Sequence, residues 1–126
     1  MLNGIGYKKV DGSFDLTGKS AIVVGGAGGI GEATARMYAR KGAKVAIADC
    51  KDTCPEVAEA IAKDFGVQTI GVKCDVTSQE SVDAMLKTVL EAFGEVNILA
   101  AMPGFVDLYR ATDIEISNIE KHIAIN

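Results

Sequence analysis

The chain has 126 residues, 48% apolar and 24% charged, with 13 Lys and Arg against 17 Asp and Glu for a formal charge of -4. Cations scattered among acids exclude the clustered basic face that nucleic-acid phosphates require, and the length suits one domain around one core. Cys50, Cys54 and Cys74 form no C-x-x-C pair, so neither a disulfide framework nor a metal site is expected, and a reducing, cytoplasmic setting is the simplest reading.

The opening MLNGIGYKKVDGS lacks the apolar stretch of about 7–15 residues that a secretory leader needs. No later run approaches the ~18 apolar residues of a membrane span, so no membrane partner is expected. Residues 1–13 are read as a flexible arm before a domain over residues 14–126.

After the arm, SAIVV at 20–24 is short, apolar and rich in β-branched residues, and it ends at glycine, which predicts a buried strand. From Gly29 to Lys41, Ile30, Ala33, Ala35, Met37 and Tyr38 recur at helical spacing until KGAK interrupts them before a second strand, VAIAD. Thr53 and Glu56 have capping-box spacing ahead of a helix with Val57, Ile61 and Phe65 on its apolar face. QTIGVKCDV predicts a third strand, and TSQE at 77–80 a second capping box. Val82, Met85, Leu86, Val89, Leu90 and Phe93 then mark one face of a helix. VNILAA predicts a fourth strand, and SNIE at 117–120 a third capping box opening a last helix. The alternation predicts consecutive parallel strands with right-handed crossovers, a Rossmann-type doubly wound sheet.

The loop VVGGAGGIGEA, between the first strand and its helix, would aim backbone N–H groups and the positive end of a helix dipole at one spot, which suits a phosphate. Gly25 would permit the turn, Gly29 the close approach of backbone to a pyrophosphate, and Gly31 tight helix-on-strand packing; Gly28 and Ile30 complete the loop. Asp49 ends the second strand about twenty residues on, where a carboxylate can accept both hydroxyls of an adenosine ribose. It would repel a 2′-phosphate, and the glycine loop carries no Arg or Lys, so NAD is favoured over NADP; Lys51 nearby leaves room for dual use.

At these residues the sequence resembles the short-chain dehydrogenase/reductases. GGAGGIG is similar to that family's T-G-x-x-x-G-I-G loop, CDVTS at 74–78 to its third-strand end, NILAAMPG at 97–104 to D-I-L-V-N-N-A-G, and HIAIN at 122–126 to a helix ending in the catalytic asparagine. The resemblance implies an adenine contact at Asp75, further cofactor contacts at Val76, Ala101 and Gly104, and a catalytic role for Asn126. Val24 stands where the family has threonine, and Ala101 and Met102 where it has two asparagines; each replacement removes a polar partner of the other.

The family's catalytic serine and Tyr-x-x-x-Lys pair would follow residue 126. Within the chain Tyr7 is followed at four residues by Asp11, Tyr38 by Gly42 and Tyr109 by Asp113, so none has the lysine. The chain is therefore read as the cofactor-binding portion of an NAD-dependent oxidoreductase for a secondary alcohol or ketone, shortened after the fourth strand and the start of the next helix. Alone it is expected to be inactive, and a homo-oligomer is expected. The alternative is a non-catalytic dinucleotide-binding or interaction module. His122, with no ligand at metal spacing, is read as a helix-surface residue.

Overall fold

The computed structural model describes residues 14–126, and the arm expected over residues 1–13 lies outside them. The elements follow the predicted order: β1 (Ser20–Val24), α1 (Gly29–Arg40), β2 (Lys44–Asp49), α2 (Cys54–Phe65), β3 (Thr69–Lys73), α3 (Gln79–Phe93), β4 (Ile98–Ala101) and α4 (Ile116–Ile125). The four strands are parallel and lie in the order β3-β2-β1-β4. The chain winds outward from β1 to β3, then returns to lay β4 on the other side of β1. That reversal is the switch point at which open α/β sheets leave a crevice beyond their strand ends.

Apolar layers cover both sheet faces. Val23, Val45 and Ile47 pack with Ala35 and Ala39 of α1 and with Cys54, Ala58 and Ile61 of α2. Ile22, Val24, Ala46 and Ala48 face the opposite way, against Met85, Val89 and Phe93 of α3. Alternation along β1 and β2 thus fills two half-cores, which is why these strands read as continuous apolar runs. Ile47 and Ile61 are fully buried, each worth roughly 1.5–3 kcal/mol of apolar transfer. The buried face of α1 is Gly31, Ala35 and Ala39, spaced by four, and such small residues let the helix lie close on the sheet. At Gly71 a side chain would collide with the Cys54 carbonyl, so the start of α2 also rests on strand backbone.

The expected strand and helix ends shift at particular residues. β3 stops at Lys73 rather than Val76, because the Asp75 carboxylate accepts the Thr77 N–H and hydroxyl at 2.9 and 2.7 Å and turns the chain. That bond occupies the Thr77 hydroxyl, so Ser78 caps α3 instead, accepting from the Ser81 N–H at 3.3 Å. Thr53 does precede α2 but makes no side-chain cap, its ψ of 2° departing from the extended conformation of a capping residue. Glu115 precedes α4, and Ser117 lies inside that helix with its hydroxyl on the Glu115 carboxylate at 3.4 Å. β4 begins at Ile98, since the Asn97 side chain accepts the Ser20 N–H at 2.9 Å. Unlike the other helices, α4 buries no residue.

Candidate functional site

The sheet register brings the ends of the strands level: Val24 of β1 stands opposite Ala48 of β2 and Ala101 of β4, while Asp49 stands opposite Lys73 of β3. Beyond these ends lies a cleft of about 650 Å³. Its floor is the glycine loop, one wall is formed by Asp49, Lys51, Asp75 and Val76, and the other by Met102, Gly104, Phe105 and Lys121. A second depression, of about 460 Å³, lies on one helix, lined by Asp83, Leu86, Lys87, Leu90 and Glu91. It draws on a single surface and gathers no set of backbone donors.

The glycines of the loop have distinct geometric parts. Gly25 has φ +79°, a conformation that L side chains rarely adopt, and a Cβ there would lie 2.9 Å from the Met102 carbonyl. Its N–H donates to the Ala48 carbonyl at 2.7 Å, which fixes the turn at the strand end. A Cβ on Gly31 would collide with the Gly25 carbonyl, so α1 seats directly on the turn. Gly29 lines the cleft, and a Cβ there would meet no atom within 4 Å.

Gly28 precedes α1 without a side-chain cap. Among the described residues, the N–H groups of Gly28, Gly29, Ile30 and Gly31 donate to no protein acceptor, and all four residues line the cleft. Orphan N–H groups at a helix start, reinforced by the helix dipole, form an anion seat. The absence of side chains at Gly28 and Gly29 leaves that seat open, so a dinucleotide's diphosphate fits the floor.

Asp49 is held in place by the same loop. Its Oδ2 accepts the Ala27 N–H at 3.1 Å and its Oδ1 the Lys51 N–H at 3.2 Å. Cys50 Sγ also donates to Oδ1 at 3.5 Å, and the carboxylate lines the cleft. Asp75 stands on the same wall, its carboxyl held below the usual range by the Thr77 hydroxyl first and the Thr77 N–H second. Cys50 and Cys74 line the cleft as well. Desolvation pushes both thiols up, helped at Cys50 by the adjacent Asp49 carboxylate, so neither is a thiolate nucleophile at neutral pH.

On the opposite wall Ala101 is exposed and lies outside the cleft lining, whereas Gly104 forms part of it. Asn126 does not line the cleft either. Its Nδ2 donates to the Phe105 carbonyl at 2.9 Å and its Oδ1 accepts the Phe105 N–H at 2.8 Å, so both ends of the amide tie α4 to the segment after β4. His122 reinforces this attachment, accepting the Asp107 N–H at Nε2 (3.2 Å) and donating from Nδ1 to the Asn118 carbonyl at 2.6 Å. Phe105 packs against the His122 ring at a tilt of 43°, with the centroids 4.6 Å apart, and carries the Lys121 ammonium 4.0 Å from its own centroid. Phe105, Lys121 and Ile125 line the cleft without having been singled out in the sequence; the four-residue spacing of the latter two on one helix was the available signal. Among the described residues no group of three His, Cys, Asp or Glu side chains could hold a metal, and no helix is long and apolar enough to cross a membrane.

Helices on both faces of a parallel sheet, with an uncapped glycine-rich helix start at its switch point, define the Rossmann-type class of α/β proteins. Residues 19–126 match the family profile described as short chain dehydrogenase, and the chain belongs to that family. It is 38% identical over 120 residues to D-threitol dehydrogenase of Mycolicibacterium smegmatis, covering 93% of this chain and 45% of that protein. It is 37% identical over 111 residues to sorbitol dehydrogenase of Cereibacter sphaeroides, covering 88% and 42%. The crystal structure of L-sorbose reductase from Gluconobacter frateurii, complexed with NADPH and L-sorbose, superposes with a TM-score of 0.81 at 27% identity, over 90% of this chain and 43% of the other. The chain thus spans under half the length of these three relatives. The family comprises oxidoreductases that bind a nicotinamide dinucleotide.

Proposed function

We propose that residues 14–126 form the dinucleotide-binding domain of an NAD-linked oxidoreductase acting on a secondary alcohol or the corresponding ketone. The observation that carries this reading is the run of four unpartnered N–H groups, from Gly28 to Gly31, on the floor of the cleft. They receive the diphosphate, Asp49 the adenosine ribose hydroxyls, and Asp75 with Val76 borders the adenine. A charged acceptor on a hydroxyl contributes about 1.5–3 kcal/mol, which is the source of the preference for an unphosphorylated ribose.

When bound, the dinucleotide supplies the hydride chemistry, and Gly104 and Phe105 border its reactive end. Asn126 belongs to the reaction machinery as a positioning residue, holding the Phe105 backbone at that wall. Relatives named for threitol, sorbitol and sorbose support a small polyol or ketose as substrate. The three free cysteines fit a reducing cytoplasm.

Calorimetry with NAD+ and NADP+ on the unsubstituted chain and on Asp49→Ala tests the reading. NAD+ should bind more tightly, and the substitution should remove that preference. Equal or tighter NADP+ binding by the unsubstituted chain would overturn the role of Asp49. Failure to bind either dinucleotide would overturn the cofactor site itself.

A further inference from the structure

We propose that Met102 is an oxidation site in the wall of the cleft: a bound dinucleotide shields its thioether, and conversion of the thioether to the sulfoxide weakens dinucleotide binding. This inference rests on the dinucleotide reading above. Three methionines lie among the described residues, and their settings differ. Met85 is 5% exposed in the half-core under α3, and Met37 is 52% exposed on α1, outside the cleft. Met102 is 38% exposed, within reach of a small oxidant, and alone of the three it lines the cleft.

The Met102 backbone is fixed against the glycine turn. Its N–H donates to the Val24 carbonyl at 2.9 Å, and its own carbonyl stands where a Cβ on Gly25 would come within 2.9 Å. From that anchored backbone the side chain reaches α1, where Sδ lies 3.6 Å from the Thr34 hydroxyl oxygen. The same hydroxyl lies 2.8 Å from the Ile30 carbonyl, in the helix turn that carries the unpartnered N–H groups. Thr34 has a single hydroxyl proton and a thioether is a weak acceptor, so the Ile30 carbonyl holds that proton. Hydrogen peroxide changes the balance. A sulfur lone pair attacks one peroxide oxygen, the O–O bond breaks, and the departing hydroxide takes the transferred oxygen's proton; sulfur is oxidised by two electrons, peroxide is reduced by two, and sulfoxide and water result. The sulfoxide oxygen is a strong acceptor that competes for the Thr34 proton, and it sets a negative dipole at the edge of a seat suited to a diphosphate. A flexible apolar wall becomes a polar one that opposes the charge of the ligand.

The test treats the whole chain with hydrogen peroxide, with and without NAD+, then reduces the thiols with dithiothreitol so that oxidised Cys50 does not contribute. Trypsin separates Met37, Met85 and Met102 into different peptides, and mass spectrometry follows the added oxygen in each. NAD+ at about ten times its Kd should slow Met102 oxidation about tenfold, the factor expected if only the free cleft reacts, and leave Met37 oxidation unchanged. Calorimetry on the oxidised chain should give NAD+ binding about tenfold weaker, the scale of one charge-assisted hydrogen bond. The two methionine sulfoxide reductases, one for each sulfoxide epimer, should restore it. Met102→Leu should bind NAD+ equally before and after peroxide, whereas Met37→Leu should stay as sensitive as the unsubstituted chain. Equal protection of Met37 and Met102 would overturn the proposal, as would persistent sensitivity in Met102→Leu or, on the unsubstituted chain, an affinity that repair of the sulfoxide does not bring back. Binding of neither NAD+ nor NADP+ by the untreated chain would overturn both this inference and the cofactor site; NAD+ binding indifferent to Met102 oxidation overturns this inference alone.

Discussion

Replacing Gly31 by Ala tests whether α1 is seated on the glycine turn. A methyl group there would run into the Gly25 carbonyl and come within 3.1 Å of the Gly26 Cα. Both obstacles are backbone, and Gly25 is already pinned by Ala48 on one side and backed by Met102 on the other. Relief therefore requires a shift of helix against sheet rather than a rotamer change. Overpacking of this kind costs about 1–3 kcal/mol, here toward the upper end, and exchanging glycine for alanine inside a helix returns about 1 kcal/mol. The net loss of about 1–2 kcal/mol corresponds to a fall in Tm of about 4–8 °C for a domain of this size.

Gly29→Ala supplies the contrast. Its φ of +55° imposes strain on any L residue, but no protein atom stands in the way of the methyl group, which enters the cleft instead. The expected cost is about 1 kcal/mol, accompanied by at least a tenfold loss of NAD+ affinity on the order expected for lost charge-assisted hydrogen bonds. Thermal denaturation by circular dichroism, paired with calorimetric titration, separates the two effects. An unchanged Tm for Gly31→Ala would refute the packing argument, and unchanged NAD+ affinity for Gly29→Ala would refute the assignment of the floor.

Thr77→Val should move the Asp75 carboxyl back up toward the usual carboxylate range, read by NMR titration of its side-chain carbon. The native bond contributes stability above that range and loses it as pH falls through the lowered value, so the variant should differ least from wild type in strong acid. β4 forms one edge of the described sheet, with Leu99 65% exposed, so the chain should self-associate in sedimentation experiments and Leu99→Lys should weaken that association; a cooperatively unfolding monomer at micromolar concentration would contradict this. The 126-residue chain, its mass verified, should form no NADH from secondary alcohols or polyols at a rate near its relatives', since a positioned acid/base alone contributes about 10²–10⁴-fold. Robust turnover would assign the proton chemistry to a group within the chain, with Asp107, Tyr109 and His122 the first to replace.

The order of strands and helices was legible because β1 and β2 are buried on both faces and α1 to α3 each bury one stripe; those are the patterns that periodicity detects. The helix starts were less so. S/T-x-x-E spacing describes what a hydroxyl could do, whereas Asp75 and Glu115 capture the hydroxyls of Thr77 and Ser117 at shorter range. The glycine loop and Asp49 were visible together, since spacing and strand ends place them at one edge. Phe105 and Lys121 were not, because the segment from Met102 to Glu115 has no period and its path depends on side chains of α4. Asn126 was expected among the reacting groups by resemblance, yet its amide bonds to backbone 21 residues away, a partner no local pattern encodes.

The two walls of the cleft differ in the kind of force that holds them. The Asp49 wall continues strands whose side chains are locked into both half-cores, whereas the Phe105 wall hangs on α4, a helix without a buried residue, through the amide of Asn126 and the ring of His122. Local opening should therefore cost little on one side and approach the global unfolding free energy on the other, a contrast that amide exchange would display as a boundary running along the glycine loop. For a ligand, this is a division between lock and latch. A molecule offering only the adenosine diphosphate end meets a preorganised surface, while any extension toward Phe105 must first immobilise the wall it touches, so affinity gained per added atom should fall as the ligand grows across the cleft.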